Sequence, residues 1–311
     1  MVVIADFAFP GIILLLIIHF AKRLLFHRRV CMPPGPLAWP VIGHIHLLDA
    51  NRPLHQTLYD LAWRYGHIIL LQLGSCKVLV VTSSELAREC FTTHDMNFAS
   101  RPRFSGTEHL GYDYTMFGLD PYDRRSRKLR TICTSQLLSH SRVESAQNIR
   151  MEELSKLVRG LFQMGIKDDA LAVVDVSSMM VDLIFDIILG SILPDRSYMG
   201  TGEKVEEFKE MIKTHLELVG AFNVGDYFPF LRWLDLQGCE RAMKKLSRRR
   251  DEILQKVIDR YRLCMKKESD ENLMDVLIHL VDKAEDFFSD DTIVKSTILV
   301  CVPIRSHSIP S

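Results

Sequence analysis

Pro33-Pro34-Gly35-Pro36-Leu37-Ala38-Trp39-Pro40-Val41-Ile42-Gly43 divides the chain into two parts of different character. Proline fixes φ and lacks an N–H, so the stretch is stiff and extended rather than helical. On its N-terminal side Val2 to Phe20 is apolar except for Asp6 and His19. As a helix that run spans about 28 Å, close to the hydrocarbon thickness of a bilayer. Pro10 and Gly11 are tolerated in membrane helices. Lys22, Arg23, Arg28 and Arg29 follow the run, and only Asp6 stands ahead of its Ile/Leu-rich centre. A cleavable signal peptide carries its positive charge in front. The reverse order predicts a retained anchor whose C-terminal flank stays cytosolic. Residues 1–30 are therefore expected to form a single transmembrane anchor with a basic stop, a buried core helix being the alternative. Residues 31–52 are expected to form a proline-rich hinge that sets the angle of the body to the membrane.

Downstream of the hinge the pattern predicts a mainly α body with a small β-sheet. Leu54, Leu58, Leu61, Ala62 and Tyr65 recur at helical spacing, with Gly66 as the stop. Ile68 to Leu73 and Val78 to Val81 flank Gly74-Ser75-Cys76-Lys77 and predict a hairpin. Thr82-Ser83-Ser84-Glu85 reads as a capping box for a helix to about Phe91. Further helices are predicted near 121–135, 142–164, 175–189, 203–221, 239–267, 271–283 and from 290 on. Asp175 and Gly190 bracket one of them as N-cap and C-terminal stop. Between Gly220 and Gly238 the periodicity breaks and Phe222, Tyr227, Phe228, Phe230 and Trp233 cluster. That stretch is open to three readings: core packing, a dip into the bilayer, or a gate to an apolar channel.

The composition narrows the chemistry. The 311 residues carry 39 Lys+Arg against 39 Asp+Glu, with 47% hydrophobic and 25% charged residues. These values are those of a globular protein, not of a disordered, collagenous or disulfide-built chain. Zero net charge opposes bulk binding to nucleic acid. The cysteines (Cys31, Cys76, Cys90, Cys133, Cys239, Cys264 and Cys301) are scattered, without the paired spacing of a structural zinc site. No phosphate loop, hydrolase elbow or H-E-x-x-H motif occurs. Arg124, Arg125, Arg127, Lys128 and Arg130 form one dense basic run. Lys244, Lys245, Arg248, Arg249 and Arg250 form another, read as a solvated face with Leu246, Ile253, Leu254 and Val257 behind it.

The order of these features resembles the plant microsomal cytochromes P-450, the haem-thiolate monooxygenases. The carrying elements are the anchor, the proline stretch, Phe98-Ala99-Ser100-Arg101-Pro102, Glu108-His109-Leu110-Gly111-Tyr112-Asp113-Tyr114 and Phe117-Gly118. Gly225-Asp226, Pro229-Phe230-Leu231, Trp233-Leu234-Asp235 and Met274-Asp275-Val276-Leu277 follow in order. The resemblance runs from residue 1 to about 300. It implies the N-terminal portion of that fold over residues 53–300 and haem as cofactor. It also implies an apolar small-molecule substrate oxidised with electrons from an NADPH-dependent reductase, and a place on the cytoplasmic face of the endoplasmic reticulum membrane. By the same resemblance Arg130 pairs with a haem propionate, while Ser126 stands where the family has Trp. Arg124, Arg125, Arg127 and Lys128 would meet the acidic reductase. The substrate pocket would draw on Phe104, Met116, Phe117, Leu218 and Phe222.

The residues also depart from the family. After Val300 the chain reads Cys301-Val302-Pro303-Ile304-Arg305 to Ser311, a divergent tail over 301–311 whose prolines cannot continue a helix. The family elements that would follow Val300, namely the oxygen-activating helix, its downstream E-x-x-R pair and the F-x-x-G-x-R-x-C-x-G loop that supplies the axial thiolate, are not among these residues. No cysteine of the chain is assigned as axial ligand, and no catalytic or metal residue is named. The chain is thus expected to be inactive alone, and to leave apolar faces of 175–189 and 290–302 uncovered. The alternatives are a non-catalytic, membrane-tethered interaction protein and a non-functional splice or frameshift product.

Overall fold

The computed structural model describes residues 32–49, 51–137, 139–167, 174–193, 202–264, 273–282 and 291–301. The anchor expected over residues 1–30 and nearly all of the divergent tail lie outside these residues. No helix among the described residues is long and apolar enough to cross a membrane. The chain forms two compact units, residues 1–90 and 91–311.

In the first unit, α1 (Leu54–Tyr65) ends at Gly66, whose φ of 116° only glycine adopts readily. Strand β1 (Ile68–Leu73) pairs antiparallel with β2 (Cys76–Val81), Ile68 opposite Val81 and Leu73 opposite Cys76. The turn is only Gly74-Ser75, so β2 begins two residues earlier than the apolar run suggests. Ile69, Leu71 and Val80 pack with Ala62, the half-buried Leu58 and Leu61 beside them. Helix α2 (Ser84–Thr92) follows. The Thr82 hydroxyl donates to the His67 carbonyl at 3.4 Å rather than serving as the expected cap.

The proline stretch is fastened to this hairpin. Prolines cannot donate, so their carbonyls and the residues between them make the bonds. Leu70 N donates to Pro34 O at 3.1 Å, and His44 N donates to Gln72 O at 2.7 Å. The buried His44 ring accepts from Gln72 N through Nδ1 at 2.8 Å and, as the Nε2–H tautomer, donates to Pro36 O at 2.9 Å. Gly43 sits at φ 65°, and a Cβ there would lie 2.1 Å from Gln72 O.

The second unit is helical, with α3 (Asp95–Phe98), α4 (Ser105–Leu110) and α5 (Arg124–Ile132) first. Helix α5 passes into a π turn over Cys133–Leu137. Then come α6 (His140–Ser145), α7 (Gln147–Lys167), α8 (Val176–Ile192) and α9 (Gly202–Gly220). The aromatic stretch holds α10 (Val224–Tyr227) and a 3-10 turn over Pro229–Leu234. Last are α11 (Cys239–Cys264), α12 (Leu273–Asp282) and α13 (Thr292–Cys301). Phe185, Leu189, Phe208, Leu254, Ile258, Met274, Ile278, Val294 and Leu299 meet in one core.

Three expectations change here. Asp175 caps α8 as read, accepting from Ser177 N and Ser178 N, but the helix runs through Gly190 to Ile192. Gly190 serves close packing instead, because a Cβ there would come 3.0 Å from Ile149 Cγ2. Helix α13 is not left uncovered, since Ile293 to Leu299 are all buried. The other face expected to be uncovered is exposed in part, at Val176, Met180 and Val181 of α8, and α7 beside it exposes Met151, Leu154, Val158 and Phe162. Finally, Arg250 leaves the solvated basic face entirely: it is 0% exposed.

Gly43→Ala is expected to destabilise the first unit by about 1–3 kcal/mol, since both the φ and the Gln72 carbonyl oppose a side chain. Hydrogen exchange checks it. The amides of His44, Leu70 and Gln72 should lose protection while those of α11 keep theirs.

Candidate functional site

The segment from Phe104 to Asp120 holds three of the residues that the resemblance offers as pocket candidates, and its shape comes from local hydrogen bonds. Thr107 Oγ1 accepts from Phe104 N at 3.1 Å and donates to Phe104 O at 2.7 Å, starting α4. After Gly111 the chain places Tyr112, Asp113 and Tyr114 at φ 51°, 52° and 61°. Three non-glycine residues in the left-handed region carry strain. The turn is held by Asp113 N on Glu108 O at 2.9 Å, Met116 N on Gly111 O at 3.0 Å and Thr115 Oγ1 on Tyr112 O at 2.6 Å.

Two polar clusters tie α4 to the aromatic stretch and to α11. In the first, Asp226 accepts from Ser105 N at 2.8 Å and from Ser105 Oγ at 3.0 Å. Asn223 Nδ2 donates to the same hydroxyl oxygen at 2.7 Å, and Ser105 and Asn223 are both buried. In the second, Arg232 Nη2 donates to Glu108 at 2.8 Å and Arg232 Nε to Glu240. His109 Nε2 lies 3.3 Å from Glu240, and Tyr114 donates to Glu108 at 3.2 Å. Burial alone would raise the Glu108 and Glu240 carboxyls. The hydrogen bond and charge of Arg232 outweigh it and hold both below the usual carboxylate range.

The substrate candidates separate into two groups. Phe104 and Phe222 meet through Tyr227, whose ring lies 6.0 Å from the first and stacks on the second at 4.7 Å. Met116 is buried in the main core, with Phe117 packed against that core. Leu218 is half-buried in the last turn of α9.

On α5, Asp123 caps the helix through Ser126 N at 2.8 Å, and Leu129 faces the core. Ser126 is half-buried beside Asp120; burial raises the Asp120 carboxyl against the hydrogen bonds of Ser126 and Gly118. Arg130 is exposed in the last turn, its guanidinium unpaired among the described residues. Arg124, Arg127 and Lys128 are exposed, and Arg127 lies over the Tyr122 ring at 5.8 Å. Arg125 keeps its Nε buried without a partner among the described residues.

The proline stretch, the hairpin and the helices in this order match one family model, cytochrome P450, over residues 33–302. This chain belongs to the cytochrome P450 family. It is 33% identical to a xanthotoxin 5-hydroxylase of Arabidopsis thaliana over 97% of its own length and 61% of the relative's. It is 35% identical to a flavonoid 3'-monooxygenase of Crocosmia x crocosmiiflora over 94% of this chain and 58% of that one. An isoflavone 2'-hydroxylase of Glycyrrhiza echinata is 34% identical over 84% of this chain and 52% of the relative. The chain thus spans about three fifths of the length of the first relatives it matches.

Membership implies haem, and the residues fit that group in part. Arg130 offers a free guanidinium, whose planar fork matches a propionate. Cys133 and Cys239 do not suit the axial position. Cys133 is buried, and burial together with the Asp120 charge pushes its thiol up to about 11. Cys239 is likewise raised by burial and by Asp235 and Asp226.

Ser105, Asn223, Asp226, Arg232 and Glu240 escape sequence reasoning as site residues, because each finds its partner far along the chain. The one signal is the lone base Arg232 within the Gly225 to Asp235 stretch, set against the acid Glu108.

Arg232→Gln is expected to weaken the α4 attachment by about 1–2 kcal/mol, discounted for partial exposure. Both glutamates have lowered folded-state values. Their contribution is therefore complete above the unfolded carboxylate value of about 4.3 and lost as pH falls below it. A urea-denaturation series from pH 7 to 3 should show this acid loss in the parent and a smaller one in Arg232→Gln.

Proposed function

We propose that this chain forms the substrate-side portion of a haem-dependent monooxygenase acting on an apolar small molecule. The observation that carries the reading is the unpaired Arg130 at the exposed end of a helix whose Leu129 is locked into the core. An arginine so placed holds a propionate without first breaking an ion pair. When bound, haem supplies the dioxygen chemistry; the residues of this chain bind, orient and exclude water.

Phe104, Tyr227 and Phe222 supply an aromatic wall, with Phe117 and Leu218 as further apolar surface for the substrate. Ser126 has a hydroxyl where the family has an indole, so the propionate contact rests on Arg130. The basic surface of Arg124, Arg127 and Lys128 suits an acidic NADPH-dependent reductase. Residues 1–30 anchor the chain in the endoplasmic reticulum membrane, residues 31–52 join the anchor to the body on the cytoplasmic face, and 53–300 carry the cytochrome P450 portion. The loop that supplies the axial thiolate is not among these 311 residues, so they do not complete the reaction alone.

Reduced membranes treated with carbon monoxide test this. The chain by itself should give no red-shifted Soret band of thiolate ligation. Joined after Val300 to the remaining part of the xanthotoxin 5-hydroxylase relative, it should give one, weakened by Arg130→Gln. A band from the chain alone, or none from the fusion, would contradict the proposal.

A further inference from the structure

Helix α11 turns one arginine of its basic run inward. Arg250 is 0% exposed, and its Nη1 donates to Leu110 O at 2.7 Å. The same Nη1 lies 3.0 Å from His215 Nδ1. Burial and the Arg250 charge hold His215 down to about 3, so its ring is neutral and accepts there. The guanidinium lies over the Tyr112 ring, 4.4 Å from its centroid. A cation on an aromatic face gains some compensation, but the N–H groups at its edge gain none.

No carboxylate among the described residues forms an ion pair with this guanidinium. The acid that acts on it is Asp251, whose Oδ1 accepts from Lys295 Nζ at 2.7 Å. That carboxylate faces two cations, Arg250 and Lys295, and the Tyr112 hydroxyl as well, so it leaves one positive charge over. Arg250 Nε and Nη2 and the Tyr112 hydroxyl are buried with no hydrogen-bond partner among the described residues. Empty donors on a buried cation are costly unless something binds them. Nε and Nη2 are the two parallel donors of one guanidinium edge, the pair that grips a carboxylate bidentately.

We propose that the Nε/Nη2 edge of Arg250 and the Tyr112 hydroxyl receive the carboxylate of a small, otherwise apolar ligand. The inference rests on the reading of this side as the substrate side and narrows the substrate to an apolar acid. Arg250 donates to both carboxylate oxygens and Tyr112 donates to one. Burial raises the phenol to about 12, so it keeps its proton. The strained turn 112–114 then has a purpose, since it places the Tyr112 ring under the guanidinium and its hydroxyl inside.

Binding of 2-naphthoic acid and of 2-naphthamide to the full chain in detergent, measured by equilibrium dialysis, tests this without haem. The acid should bind about tenfold more tightly than the amide, the difference a charge-assisted pair makes. Arg250→Met should melt no lower than the parent, because a buried charge without a carboxylate is gone, and should bind acid and amide alike. Tyr112→Phe should lower the acid preference severalfold. Equal affinities in the parent would overturn the proposal. If Arg250→Met fails to fold, Tyr112→Phe decides, and an unchanged acid preference there overturns it. Loss of the fusion's Soret band with the acid preference intact would sink only the monooxygenase reading. An intact band with no acid preference would sink only the carboxylate site.

Discussion

The Asp226 carboxylate accepts from the backbone N–H and the hydroxyl of Ser105, 121 residues away in sequence. It sets where α4 begins. From there Glu108 and His109 reach Arg232 and Glu240, and the left-handed turn brings Tyr112 to Arg250. Helix α4 has only six residues and could not persist on its own. Its position comes from side-chain bonds to Asn223, Asp226, Arg232 and Glu240, all more than 110 residues away in sequence. The aromatic group of Phe104, Tyr227 and Phe222 sits across the same junction, so apolar and polar contacts reinforce each other.

What the sequence makes legible follows from local physics. The hairpin is readable because two β-rich apolar runs, Ile68 to Leu73 and Val78 to Val81, flank a turn signal that begins with Gly74-Ser75. Asp175 is readable as a cap because the cap bonds lie within three residues. Gly190 misleads because a glycine after an apolar run reads as a stop, whereas in the fold it admits Ile149. Arg250 misleads for a related reason: a charge run suggests solvent. Yet Met243, Arg250, Leu254 and Val257 share one helical face, and that spacing already points inward.

The site is less legible than the fold. Phe104 and Phe222 stand far apart in the chain, and their link, Tyr227, has no spacing rule to reveal it. Arg130 is placed by resemblance and is exposed and unpaired among the described residues. Met116, expected in the pocket, packs in the main core. The hinge looks like a spacer because prolines suit spacers; its carbonyls and His44 instead bind β1, which proline content alone does not disclose.

If the α4 junction is held through Asp226, breaking that carboxylate should release the whole junction and little else. Hydrogen–deuterium exchange on Asp226→Asn measures this directly. Residues 104–116 and 222–228 should lose protection together while α11 and α13 keep theirs. Unchanged protection over residues 104–116 would contradict the claim that this carboxylate positions α4 and the turn after it.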